Sequence, residues 1–288
     1  MKNKVIAVVG PTASGKTDYA INLAKKISGE IISADSRLVY RDMNIGTAKP
    51  TLDEMSGVPH YLIDIVSPDF NYSAGLYKKD AEIKISEILS REKTPIIVGG
   101  TGLYFRVLLE NYDLPKLEPD LKLREELSKM TYNQLFDILV ELDIDAAYSK
   151  EKFDKKKLIR TIEIIKGTKK PLSKARGIAE QKYDVEWIGL NYSRDELYDR
   201  INKRVDNMIS KGLPDECRYL LKKYGRLPNI VDTIGYKEII EAIDGKISLS
   251  KAVDKLKQNT RNYAKRQLTW FRKNPLIKWN CYPEKIGK

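Results

Sequence analysis

The sequence predicts an α/β fold in which a parallel sheet is flanked by helices and interrupted by an inserted helical, basic segment. Three observations predict it. Short apolar runs alternate with helical stretches through the first third of the chain. A glycine-rich turn follows the first of these runs and opens the first of these helices. From about Asp120 to Lys182 the pattern becomes helical and polar, and then a strand returns. Strands alternating with helices of this length imply a parallel sheet covered on both faces.

Each element has its own signal. Residues 5–9 (VIAVV) read as a buried strand and residues 17–27 as a helix, with Tyr19, Leu23 and Ile27 four apart. Residues 30–33 and 95–98 read as further strands, and residues 61–66 as another. Residues 73–90 read as a helix that Ser73 can cap, with Ala81, Ile85, Ile88 and Leu89 on its apolar face. Two prolines mark residues 113–119 as a linker. Residues 185–190 (VEWIGL) read as a strand, and Ser193 with Glu196 forms a capping box for a helix ending near Gly212. The expected organisation is a core of residues 1–112 and 185–288, with an inserted helical domain at 113–184.

Composition narrows the chemistry. The chain has 288 residues and a net charge of +12. Such a surplus points to a polyanionic partner, because each Lys or Arg beside a phosphate releases a condensed counterion. Between Lys150 and Arg176 there are eleven Lys or Arg against three acids. His60 is the only histidine, and Cys217 and Cys281 stand far apart. A histidine-based metal site and a Ser-His-Asp triad are therefore not expected. The apolar run at residues 5–9 is too short for a signal peptide or a membrane span, so the expected compartment is the cytoplasm. Nothing in the sequence demands more than a monomer.

Gly10-Pro11-Thr12-Ala13-Ser14-Gly15-Lys16-Thr17 fits G-x-x-x-x-G-K-[ST] between a strand and a helix, the context this motif needs. Glycines allow a tight turn whose N–H groups face phosphate oxygens, and the helix N-terminus adds positive potential. Lys16 adds a mobile charge, and the Thr17 hydroxyl suits Mg²⁺. The motif therefore predicts a P-loop-type sheet with a pyrophosphate-like ligand. Whether that ligand is a nucleotide stays open at this level.

Two strand ends carry further candidates. Asp35 follows the second strand, where doubly wound sheets line the ligand crevice. It suits a general base or a metal holder, and equally a loop aspartate capping a turn. Thr101 follows Gly99-Gly100, glycines that permit a close approach or simply form the turn. Asp64 stands where a kinase would carry a metal-linked aspartate, or it is a strand-edge residue.

Several segments together resemble the tRNA dimethylallyltransferase (tRNA isopentenyltransferase) family. They are residues 10–17; Ser33-Ala34-Asp35-Ser36 with Tyr40; Asn44-Ile45-Gly46-Thr47-Ala48-Lys49-Pro50; Tyr72-Ser73-Ala74; and Val98-Gly99-Gly100-Thr101-Gly102-Leu103-Tyr104. Arg200-Ile201-Asn202-Lys203-Arg204-Val205-Asp206, Ile234-Gly235-Tyr236-Lys237-Glu238 and residues 260–271 (TRNYAKRQLTWF) continue the match in order. The resemblance implies transfer of a dimethylallyl group from dimethylallyl diphosphate to N6 of the adenosine 3′ of the anticodon, in tRNAs reading codons that begin with U. It implies that residues 10–17 hold the donor diphosphate with Mg²⁺, that Asp35 is the general base, and that Thr101 contacts the reacting adenosine. Ser36, Arg37 and Leu38 go with Asp35 as tRNA contacts, and Arg124, which the resemblance adds to Asp35 and Thr101 in the catalytic set, matches a further tRNA-contacting arginine. Lys156, Lys157, Leu158, Ile159 and Arg160 stand where the family carries Gln-Arg-x-x-Arg, so the inserted domain is expected to bind the anticodon stem-loop.

Basic surfaces accord with an RNA partner. From Lys255 to Pro283 there are eight Lys or Arg and no acid. On an ideal helix Leu256, Tyr263 and Trp270 form a core-facing stripe, and Lys257, Arg261, Lys265 and Arg272 a stripe expected to face RNA. Rival readings are an adenylate (AMP/ADP) dimethylallyltransferase, a small-molecule P-loop kinase, and an RNA-binding module with a nucleotide switch.

Overall fold

Val5, Ala7, Val8 and Val9 are fully buried because their strand, Asn3–Val9, is covered on both faces and paired on both edges. In the computed structural model, which describes residues 3–110, 112–115, 117–149, 153–175, 177–178 and 181–281, this strand is central to a six-stranded sheet. The order across it is His60–Tyr61, Gly29–Ser33, Thr94–Gly99, Asn3–Val9, Tyr183–Asn191 and Lys278–Cys281. Every pairing is parallel. Side chains alternate between faces, so Ile6 and Val8 join Ile31, Ile96, Val98, Ile188 and Leu190 beneath Ala20, Ile21 and Ala24 of the helix Lys16–Ile27.

The chain divides into two compact units, Met1–Leu109 with Lys182–Lys288, and Glu110–Gln181. The second is helical: Leu121–Ser128, Tyr132–Leu142 and Lys155–Thr168 close over Leu135, Leu139, Leu158 and Ile162. One pairing of two residues with two, Tyr112–Asp113 with Gly177–Ile178, joins its ends.

Local signals worked where they were local. Ser73 caps Ala74–Ser90, and the Ser193–Glu196 box caps Arg194–Ser210. Residues 61–66 do not form one strand. Pairing stops after Tyr61, because Leu62 and Asp64 take left-handed backbone angles, and only Val66 makes a bridge, to Tyr40.

The C-terminal helix, Leu249–Phe271, corrects both expected stripes. Its buried residues are Ala252, Leu256, Ala264, Gln267 and Phe271, while Trp270 is 40% exposed. A heptad stripe drifts about 20° per seven residues on a straight helix, which moves Trp270 to the rim. The first half of the basic stripe lies along Arg194–Ser210, whereas Lys265 and Arg272 stay exposed. Lys257 pairs with Asp206 at 2.6 Å, Arg261 donates to Asn202 at 2.7 Å, and Leu268 packs on the Leu197–Ile201 cluster.

Candidate active site

All strands of a parallel sheet end on one side, and here that side carries the loops after Val9, Ser33, Gly99 and Asn191. The first holds the sequence-predicted cradle. Gly10 is where the chain leaves the sheet, and an added Cβ would lie 2.4 Å from the Leu190 carbonyl oxygen. Ala13 (φ 62°) and Gly15 (φ 73°) are left-handed, a backbone habit that turns successive N–H groups toward one point. The helix that follows has no side-chain cap, so its first amides stay available to an anion. Ser14 is buried, and its Oγ has no partner among the described residues.

Lys16 Nζ donates to the Pro11 carbonyl at 2.6 Å. Loss of solvation lowers its pKa to about 7, aided by the nearby Arg204 and opposed by Asp35. Burial likewise lowers the Arg204 pKa, against the pull of Asp35 and Glu54. Two cations thus crowd one desolvated spot, a field that favours an anion with several charges. Arg200, one turn earlier on the same helix, donates from Nε to the Ala13 carbonyl at 2.8 Å.

Asp35 stands within electrostatic reach of Lys16, Arg204, Tyr104 and Tyr263. Its Oδ1 accepts from Arg37 N–H at 2.8 Å, which orients the carboxylate. Thr101 N–H donates to the Ala34 carbonyl at 3.1 Å, and Thr101 Oγ1 accepts from Ser36 N–H at 3.0 Å. The Asp35 and Thr101 loops are thus laced together. Beside them Tyr77 and Tyr104 stack at 3.8 Å, and the buried Tyr77 hydroxyl has no partner among the described residues.

Asp64 is engaged by Lys49, so it is an ion-pair residue of its loop. In the second unit, Arg124 holds Glu163 through Nε and Nη2, both at 2.9 Å, and Arg160 joins the same carboxylate. Leu158 is fully buried in that unit's core, so its side chain packs and offers nothing to RNA. Lys156 and Lys157 are exposed on the same helix, and Ile159 packs partly against the core.

Arg200, Arg204 and Gln267 were not predicted as site residues. A signal existed for the arginines: four apart on a helix with a legible cap, they share a face. Among the described residues no cluster of three His, Cys, Asp or Glu could hold a metal. The exposed Thr17 at the helix start fits a Mg²⁺ that takes most of its oxygens from a diphosphate and water.

The profile of the IPP transferase family matches residues 38–274. A tRNA dimethylallyltransferase of Staphylococcus epidermidis is 46% identical, covering 96% of this chain and 86% of its own. The full-length tRNA isopentenylpyrophosphate transferase of Bacillus halodurans has a solved structure that is similar with a TM-score of 0.74 at 42% identity, over 97% of this chain and 90% of that one. A eukaryotic dimethylallyltransferase captured acting on tRNA gives a TM-score of 0.84 at 29% identity, over 97% of this chain and 74% of that one. This chain belongs to the IPP transferase family.

Proposed function

We propose that the protein is a tRNA dimethylallyltransferase, moving a dimethylallyl group from its diphosphate to the exocyclic amine of the adenosine 3′ of the anticodon. The observation that carries the reading is the placement of Asp35 at a strand end next to the phosphate cradle, in a loop that Ser36 N–H ties to Thr101 Oγ1 at 3.0 Å and whose charge acts on Lys16 and Arg204. A kinase would carry a metal-linked aspartate on the neighbouring strand, whereas Gly99-Gly100-Thr101 stands there. A free-nucleotide enzyme would have no need of the inserted basic helices.

The exocyclic amine is a weak nucleophile, so the chemistry depends on the leaving group and on proton removal. Cradle amides, Lys16 and Arg204 take up charge as the bond between prenyl C1 and the diphosphate oxygen breaks. Bound through Thr17 and the diphosphate oxygens, Mg²⁺ would supply further charge neutralisation. The amine nitrogen forms the new bond to C1, the diphosphate departs with the electron pair, and Asp35 accepts the amine proton. Thr101, fastened to Ser36, orients the adenosine, with Ser36, Arg37 and Leu38 beside it. Arg124, Lys156, Lys157 and Arg160 of the inserted unit contact the RNA backbone. The cytoplasm, where tRNA is found, is the proposed compartment, and no described helix is long and apolar enough to cross a membrane.

The test is incubation with unmodified anticodon stem-loop RNA, labelled dimethylallyl diphosphate and Mg²⁺, with AMP in a parallel reaction. Label on RNA and none on AMP is the expected result. Label on AMP alone would reassign the protein to free-nucleotide prenyl transfer.

A further inference from the structure

Gln267 is a polar residue on the buried face of the C-terminal helix, 5% exposed; its side chain meets Tyr263 one turn back on that helix, and its amide also reaches two loops of the sheet. Its Oε1 accepts from Thr12 N–H at 2.8 Å, and its Nε2 donates to the Gly100 carbonyl at 3.0 Å. Thr12 belongs to the phosphate cradle, and Gly100 immediately precedes Thr101. Two loops leaving separate strands are therefore joined by one planar group of fixed width. The approach is close: a Cβ on Gly100 would lie 2.1 Å from Nε2. The line continues, since Thr101 Oγ1 holds Ser36 N–H beside Asp35. It runs unbroken from the cradle to the acid.

We infer that Gln267 is a positioning residue of the transfer reaction, fixing the separation between the donor's diphosphate at Thr12 and the strand ends that carry Thr101 and Asp35. The inference rests on the prenyl-transfer reading. The physical case is that one group cradles the leaving diphosphate while another takes the amine proton, so C1 must be delivered at one distance from both. A misplacement of about 1 Å costs on the order of 100-fold in such a step. An apolar residue at 267 would leave the partly buried Thr12 N–H and the buried Gly100 C=O without this partner and the two loops free to slide.

The test compares wild type, Gln267→Ala and Gln267→Glu for kcat and donor KM with stem-loop RNA, and for pyrophosphate affinity by calorimetry. In Gln267→Ala, kcat should fall about 100-fold, while donor KM and pyrophosphate affinity stay within about threefold. Gln267→Glu supplies a readout that general destabilisation would not move. Its protonated carboxyl has the amide's donor and acceptor pattern, whereas the ionised form sets an oxygen against the Gly100 carbonyl. The ratio of its kcat to that of wild type should therefore rise about tenfold from about pH 8.5 to about pH 6. A flat ratio, an unchanged kcat in Gln267→Ala, or pyrophosphate affinity lost in step with kcat would each overturn the inference. Wild type that binds pyrophosphate but transfers nothing to RNA would overturn the functional reading and this inference together.

Discussion

Glu216 accepts from Gly46 N–H at 2.9 Å, across 170 residues of sequence. The same carboxylate takes Ile45 N–H at 2.8 Å, Asn44 N–H at 3.1 Å and the Tyr236 hydroxyl at 2.7 Å. One side chain on the helix Leu213–Tyr224 therefore shapes the loop whose Thr47 carbonyl accepts from Arg204 at 3.4 Å. Glu216→Ala removes an acceptor from three amides and a buried phenol. It should cost about 3 kcal/mol of stability, read by denaturant unfolding. Hydrogen exchange at residues 44–46 should accelerate, and unchanged protection there would refute the role.

Lys16 gives a pH signature. Desolvation and Arg204 hold its pKa at about 7, far below the ordinary 10.5, so the ammonium loses its proton in the physiological range. The sign follows from linkage. Between about 7 and 10.5 the unfolded chain carries a proton that the folded one has shed. Stability from this group therefore rises with pH across that window, and its penalty is full below 7. A bound diphosphate reverses the local field and raises the pKa. NMR of ¹³Cε-labelled lysine, with Lys16 assigned from Lys16→Ala, should give a midpoint near 7 that moves up on adding pyrophosphate. A midpoint that pyrophosphate leaves in place would mean that Lys16 does not meet the anion.

Sequence and structure agree where the cause is local. The cradle is legible because a turn, a strand and a helix N-terminus lie within a few residues, and the Ser193–Glu196 box because a cap is a local device. Gln267 was opaque, since its partners lie 255 and 167 residues away and a glutamine in a basic helix reads as a surface residue. Arg204 was legible only in part: its spacing from Arg200 puts both on one helix face, but it reaches the cradle only after the helix Arg194–Ser210 packs. The false strand over residues 61–66 shows the converse, because β-branched composition does not reveal the left-handed turns at Leu62 and Asp64.

Asp35→Asn separates the acid from the cradle. An asparagine Oδ1 can still accept from Arg37 N–H, so the loop geometry survives while the proton acceptor is lost. Transfer should slow by about 10²–10⁴-fold under saturating substrates. Pyrophosphate affinity should hold or rise, because a negative charge leaves the surroundings of Lys16 and Arg204. Single-turnover kinetics with calorimetry check both halves, and a variant that transfers at the wild-type rate would remove Asp35 from the base role.

Glu163 anchors the inserted unit, and its charge is the anchor. It is 1% exposed and meets Arg124, Arg160 and the Asp120 N–H, which donates at 2.8 Å. Burial alone would push its carboxyl up; the arginines and the amide override that and hold it below the usual carboxylate range. A depressed acid adds stability that is complete above its unfolded value of 4.5 and is lost as pH falls through the folded one. Glu163→Gln keeps the shape but leaves two cations facing each other without their counter-charge. Because both arginines are about one-third exposed, solvent softens the loss to about 2 kcal/mol, below the range for a fully buried pair. Hydrogen exchange should show faster opening of residues 121–128 and 155–168 in the variant at neutral pH. The gap from wild type should close in acid, where wild type also loses the charge. A gap that persists at low pH would mean that packing, and not the ion cluster, holds these helices together.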